Sequence, residues 1–167
     1  MVRKETADQL KLTKMSDLTA VAGQLKFGVA TDCDTNPVCG AALKSAYGID
    51  VSSATKLAAC DTPMAQALAG KTIDVGELCS TQPDIILNNF VLLQDDKQTQ
   101  PADNLAPLVR NDFLAKTDKA AFSKILNDVS AKMDTATLLS LGKQISVDKK
   151  DIAVVAKQWL KDSGLVK

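Results

Sequence analysis

Between residues 25 and 93, short apolar runs alternate with helix signals, and this alternation constrains the fold more than any other feature of the chain. Residues 25–30 (LKFGVA) are apolar, too few for a helix and bounded by polar residues, as suits a strand buried on both faces. Residues 40–47 read as a short helix closed by Gly48, and residues 54–59 as a second strand. At Asp61-Thr62-Pro63, Thr62 is an N-cap and Pro63 takes the first helical position, where its missing N–H costs nothing. That helix runs over 64–69 and ends at Gly70. Residues 73–78 give a third strand, 83–88 a helical patch and 90–93 a fourth strand. Strand, helix, strand in succession predicts an α/β fold with a mostly parallel sheet and crossover helices.

Upstream, Ser16-Asp17-Leu18 signals a helix, with Ser16 as cap, residues 18–21 as the apolar face and Gly23 as its end. Beyond Leu105 the character changes. Residues 106–110 read as a last strand, and the rest is helical: 120–132, with Phe122, Ile125, Leu126 and Val129 at helical spacing, then a helix capped by Asp134, then 152–160. A boundary falls near residues 100 to 108, where Gln100-Pro101-Ala102-Asp103-Asn104 looks like a connector. The aromatic residues Phe27, Tyr47, Phe90, Phe113, Phe122 and Trp159 fall inside elements and read as core.

Composition excludes several function classes. Lys plus Arg and Asp plus Glu both total 20, so no basic excess exists to neutralise phosphates, and nucleic acid is not an expected partner. No stretch approaches the roughly 20 apolar residues needed to cross a bilayer. The first residues enter polar sequence directly, so either the protein stays inside or the chain begins downstream of an export signal. There is no histidine, which removes Cys-His and Ser-His-Asp catalysis, and no glycine-rich phosphate loop can be read. No cofactor is expected. Two aspartates, Asp32 with Asp61 or Asp34 with Asp61, are the remaining acid–base pair in principle. The four cysteines, Cys33, Cys39, Cys60 and Cys79, allow three disulfide pairings; free buried thiols are the alternative, and their spacing is not that of a zinc site.

In an open parallel sheet, ligands bind outside the carboxyl ends of the strands. Three segments follow strands: residues 31–36, 60–62 and 79–82. They bring hydroxyls and carboxylates, with the helix start at Thr62-Pro63 favouring an anionic group. The candidate ligand-binding residues are Asp32, Thr35, Asn36, Asp61, Thr62, Ser80, Thr81 and Asn104, each of which also has a simple capping or turn role open to it.

The order of segments resembles the substrate-binding proteins of ABC importers of the glycine betaine/choline type. The resemblance rests on residues 2–7 (VRKETA), 12–18 (LTKMSDL), 22–28 (AGQLKFG), 43–48 (LKSAYG), 67–78 (ALAGKTIDVGEL) and above all 91–110 (VLLQDDKQTQPADNLAPLVR). It implies a two-lobed type II periplasmic-binding (Venus-flytrap) fold, with residues 1–104 as the second lobe and 105–167 as a helical segment completing the first, whose larger part is missing. It implies no enzymatic chemistry, a membrane permease as partner, and an extracytoplasmic location, as a membrane-anchored lipoprotein or periplasmic in full-length form. The ligand implied is a small zwitterionic or quaternary ammonium osmolyte. Aromatic cage positions of the family fall on Cys79 and on Asp103 or Asn104, and a family arginine falls on Asn36. On this view the pairs 33 with 39 and 60 with 79 tie down cleft loops. The missing N-terminal lobe is a further expected partner, and the alternatives are the effector-sensing domain of a transcription regulator, and a truncated half that pairs with a second copy and binds no ligand alone.

Overall fold

At the N-terminal end, where the sequence carries no strand signal, two residues pair on both sides. Strand β1 (Val2–Arg3) lies antiparallel to two later strands, and α1 (Lys4–Leu10) follows at once, ending at Lys11 with φ 55°. Two residues are too few for alternation to be read. Tertiary contacts supply what local signal lacks. Val2 is fully buried, and the Arg3 guanidinium donates to Leu68 O at 2.9 Å, Ile73 O at 2.6 Å and Asp74 Oδ1 at 2.6 Å.

The helix expected to start at Ser16 is instead two short 3₁₀ segments, Met15–Leu18 and Ala22–Gln24. Ser16 does not cap it. Asp17 Oδ2 accepts from Thr13 N at 2.9 Å and Lys14 N at 3.0 Å, whereas Ser16 N and Oγ donate to Asp96 at 3.1 and 2.6 Å. A carboxylate reaching back over the turn satisfies two free N–H groups at once, which a serine hydroxyl does not.

From there the elements are β2 (Phe27–Ala30), α2 (Gly40–Tyr47), β3 (Thr55–Leu57), α3 (Thr62–Ala69), β4 (Val75–Gly76), α4 (Asp84–Leu87) and β5 (Phe90–Val91), in the alternation read from the sequence. Gly48 closes α2 at φ 70° in the left-handed region, where glycine has no Cβ penalty. Helix α3 starts one residue early: Asp61 is the cap, its Oδ1 accepting from Thr62 N at 2.7 Å, and Thr62 is helical. The sheet order is β3-β2-β4-β1-β5, with β2 parallel to β3 and β4, and β1 antiparallel to β4 and β5, so every strand but β1 points the same way.

Apolar layers cover both faces. Val29 and Val75 join Tyr47, Ile49 and Val51 on one side; Met64, Leu68, Ile73 and Phe90 form the other. Alternation along β2 turns Gly28 toward the second layer, where α3 lies so close that a Cβ would come within 2.4 Å of Ile73 Cδ1 and 2.9 Å of Met64 Sδ.

The computed structural model describes residues 1–101 and 103–167, so Ala102 of the expected connector lies outside the described residues. Met1–Pro101 forms one compact unit and the following residues, to Lys167, a second. The second holds α5 (Asn111–Leu114), α6 (Lys119–Ser130), α7 (Thr135–Ser146) and α8 (Ile152–Asp162). The last three each begin on an aspartate whose Oδ1 accepts from the first turn: Asp118 from Ala120 N and Ala121 N, Asp134 from Thr137 N, Asp151 from Val154 N. The strand expected over 106–110 is absent, and Leu108 is 97% exposed. Pro107 offers no N–H to a ladder, and an apolar run becomes a strand only where another strand pairs with it. Phe113, expected in the core, is 45% exposed, although its ring meets Phe122 edge-on at 5.3 Å. Among the described residues of this unit, Val155 alone is buried.

Candidate functional site

Because β2, β3 and β4 run the same way, their carboxyl ends open on one edge of the sheet, and the chain leaving each passes through residues 31–36, 58–62 and 77–82. Asp32, Thr35, Asn36, Asp61, Thr62, Ser80 and Thr81 therefore share that edge. Asp32, Thr35 and Asn36 build one turn: Thr35 Oγ1 donates to Asp32 O at 3.1 Å, Asn36 Nδ2 to Asp32 Oδ2 at 3.3 Å, and Val38 N to Asn36 Oδ1 at 3.1 Å. Ser80 and Thr81 are exposed in a turn locked by the buried Gln82, whose Oε1 accepts from Cys79 N at 2.9 Å. Asn104 belongs to the second unit, exposed in a run without regular structure. The aspartates weighed as an acid–base pair are each engaged locally, Asp32 in its turn, Asp34 with Lys56 Nζ at 2.7 Å and Asp61 on α3.

Two disulfides are formed, Cys33–Cys39 and Cys60–Cys79, with Cα separations of 5.1 and 4.8 Å. Strands β3 and β4 flank β2, so they lie about 9–10 Å apart. Cys60–Cys79 draws the loops leaving them together across the end of β2. Cys33 and Cys39 are buried, and a Cβ on Gly40 would meet Cys33 O at 3.0 Å, so the first disulfide packs directly on the start of α2. Cys60 is exposed.

Beside these loops a cavity of about 200 Å³ opens over the face carrying Val29 and Val75, walled by Phe27, Leu43, Leu78 and Leu93 among others. Glu77 is the single ionisable side chain in its lining. Its Oε2 accepts from Ala30 N at 2.8 Å, which fixes the carboxylate at the end of β2. The same oxygen lies 3.4 Å from Cys39 Sγ, but that sulfur is bonded to Cys33, so the cluster of Cys33, Cys39 and Glu77 has no thiolate for a metal. Sequence reasoning passed over Glu77; the signal was an acidic residue at the end of the third apolar run.

Between α2 and residues 94–100, Tyr47 Oη donates to Asp95 Oδ1 and accepts from Lys97 N at 2.9 Å. Burial first, and the Asp95 bond second, push the Tyr47 phenol up to about 12. Burial pulls the Asp95 carboxyl upward, but bonds from Tyr47, Thr99 Oγ1 at 3.1 Å and Gln100 N at 2.7 Å outweigh it and hold the group below the usual carboxylate range.

Residues 1–162 match the model of a protein family described as the substrate binding domain of ABC-type glycine betaine transport systems. Glycine betaine-binding protein YehZ of Escherichia coli (strain K12) is 28% identical, over 99% of this chain and 56% of its own. Carnitine transport binding protein OpuCC of Listeria monocytogenes is 26% identical, over 98% of this chain and 52% of its own. Among solved structures, a glycine betaine/carnitine/choline ABC transporter protein superposes with a TM-score of 0.78 at 26% identity, covering 97% of this chain and 57% of that one. Apo YehZ superposes with a TM-score of 0.70 at 26% identity, covering 99% and 61%. The chain thus spans about half the length of the curated relatives it matches.

Proposed function

Since the chain belongs to the family of substrate-binding domains of ABC-type glycine betaine transport systems, we propose that it forms one ligand-binding lobe of a solute receptor that hands a small zwitterionic or quaternary ammonium osmolyte to a membrane permease. The family match over residues 1–162 is the observation that carries this reading. The common edge formed by the carboxyl ends of β2, β3 and β4 supports it, because that is where open α/β sheets take ligands. On this reading residues 1–104 are the lobe, with Asp32, Thr35, Asn36, Asp61, Thr62, Ser80 and Thr81 on its side of the cleft and Asn104 at its limit. Residues 105–167 belong to the opposite lobe. The receptor does no chemistry on its ligand; contacts made to both lobes at once shift it from open to closed, and the closed form is what the permease recognises. It acts outside the cytoplasmic membrane, where both disulfides persist.

Thermal unfolding of the complete native polypeptide that carries this chain, with glycine betaine, choline, carnitine or a sugar as additive, tests the reading. A ligand that binds only the folded state stabilises it by about 2.7 kcal/mol at a hundredfold excess over its Kd. A rise with a quaternary ammonium compound and none with the sugar is expected; no rise with any of them removes osmolyte binding.

A further inference from the structure

We propose that the Cys60–Cys79 disulfide positions two of the three loops of the ligand site against each other, and that its reduction by a dithiol reversibly lowers ligand affinity while the fold stays intact. The inference rests on the receptor reading above and adds a redox control to that site.

Three observations carry it. First, each of these cysteines is followed directly by two candidate ligand residues, Cys60 by Asp61 and Thr62, Cys79 by Ser80 and Thr81. Their bond joins the ends of strands that are not neighbours, since β2 lies between β3 and β4, whereas Cys33–Cys39 spans six residues and ties one loop to the start of α2. Second, the two loops are braced unequally. The one after β4 holds itself, because Gln82 N donates to Cys79 O at 3.0 Å and Gln82 Oε1 accepts from Cys79 N at 2.9 Å. The one after β3 runs Ala58-Ala59-Cys60-Asp61; the alanines have no polar side-chain group, and Asp61 accepts from its own neighbour, Thr62 N, at 2.7 Å. Cys60 itself has φ 59°, in the left-handed region that a residue with a Cβ keeps only where its surroundings impose it. Third, Cys60 is exposed whereas Cys33 and Cys39 are buried, so an attacking thiolate reaches one disulfide before the other.

Reduction needs a dithiol as co-reactant. One of its thiolates attacks Cys60 Sγ, the S–S bond breaks, and the electron pair leaves on Cys79 Sγ, which takes a proton from water. The second thiolate of the reagent then closes on the first sulfur and releases Cys60, which is protonated in turn; two electrons have passed to the protein and the dithiol has become a disulfide. Cys60 is then free to leave the left-handed region and to carry Asp61 with it, while Ser80 and Thr81 stay on the turn held by Gln82. A ligand must now order a loop that the bond had ordered in advance, and that entropic cost reads as weaker binding.

The test titrates glycine betaine, carnitine and choline calorimetrically into the complete native polypeptide, oxidised, after limited dithiothreitol treatment, and after reoxidation. Mass mapping of alkylated samples confirms which disulfide has opened, and a melting curve of each form confirms the fold. Below the melting temperature of both forms, the Kd of whichever compound binds should rise about tenfold on reduction and return on reoxidation. A Cys60→Ser, Cys79→Ser double variant should bind as weakly as the reduced wild type and ignore the dithiol. An unchanged Kd after verified opening of Cys60–Cys79 overturns the inference, as does a reduced protein without a cooperative melt, because loss of fold then explains the weaker binding. Opening of Cys33–Cys39 ahead of Cys60–Cys79 overturns it as well. If the oxidised protein binds one of the compounds and reduction leaves its Kd alone, this inference fails while the receptor reading stands; if the oxidised protein binds none of the three, both fail.

Discussion

Gly28 occupies the point where α3 lies against the sheet, and its lack of a side chain is what allows that approach. A Cβ there would sit 2.4 Å from Ile73 Cδ1, so Gly28→Ala forces Ile73 and Met64 out of place and should cost about 1–3 kcal/mol, read as a lower urea midpoint with an unchanged m-value. Tyr47 is the second residue on which much depends. Tyr47→Phe keeps the ring and removes the bond to Asp95, so it should cost about 1–2 kcal/mol near neutral pH. The depressed Asp95 carboxyl contributes stability above the ordinary carboxylate pKa of about 3.9 and loses it as pH falls through its own lower value. The raised Tyr47 phenol contributes below about 10 and loses that as pH rises through about 12. The gap between wild type and Tyr47→Phe, measured by denaturant titration from pH 7 to pH 2, should therefore narrow toward the acid end.

Among the elements, the loops at the carboxyl edge are held by covalent bonds rather than by length. Cys60 and Cys79 are 19 residues apart, and closing a loop of that size stabilises by about 3 kcal/mol in the chain-entropy account. A Cys60→Ser, Cys79→Ser double variant should lose stability on that scale. Limited treatment with a dithiol reductant followed by alkylation and mass mapping should label Cys60 and Cys79 before the buried Cys33 and Cys39. In the helical unit the caps do similar service by hydrogen bonds. Asp118→Ala frees the Ala120 and Ala121 N–H groups and should cost about 1 kcal/mol.

At the scale of the molecule, the two units differ in how much they bury. The first has apolar layers on both faces of its sheet; the second buries Val155 alone among its described residues, while Ile125, Ile152 and Val154 are each more than 60% exposed. A fragment ending at Pro101 should unfold in one cooperative transition. Residues 103–167 as a separate peptide should lose helix by circular dichroism or gain it only as concentration rises, since apolar helix faces without a partner either fray or associate. A concentration-independent, cooperative melt of that peptide would show that its own contacts suffice.

What the sequence by itself determined was the run of strands and helices from residue 25 to 93, because LKFGVA, the Gly48 stop and the Asp61-Thr62-Pro63 start are local signals that need no partner to be read. It also determined the three strand-end segments, which follow from that order once the strands are parallel. The tertiary structure decided the rest. Strand β1 exists because Val2 and Arg3 find β4, β5 and Asp74 more than seventy residues away, whereas the apolar run over 106–110 finds no strand to pair with and remains irregular. It likewise decided the choice among three cysteine pairings and the place of Glu77, whose carboxylate is defined by the Ala30 N–H, 47 residues away. The physical reason is the same throughout: caps and turns are satisfied by neighbours in sequence, but strand edges, disulfides and a charge in an apolar cavity are satisfied only by groups that folding brings to them.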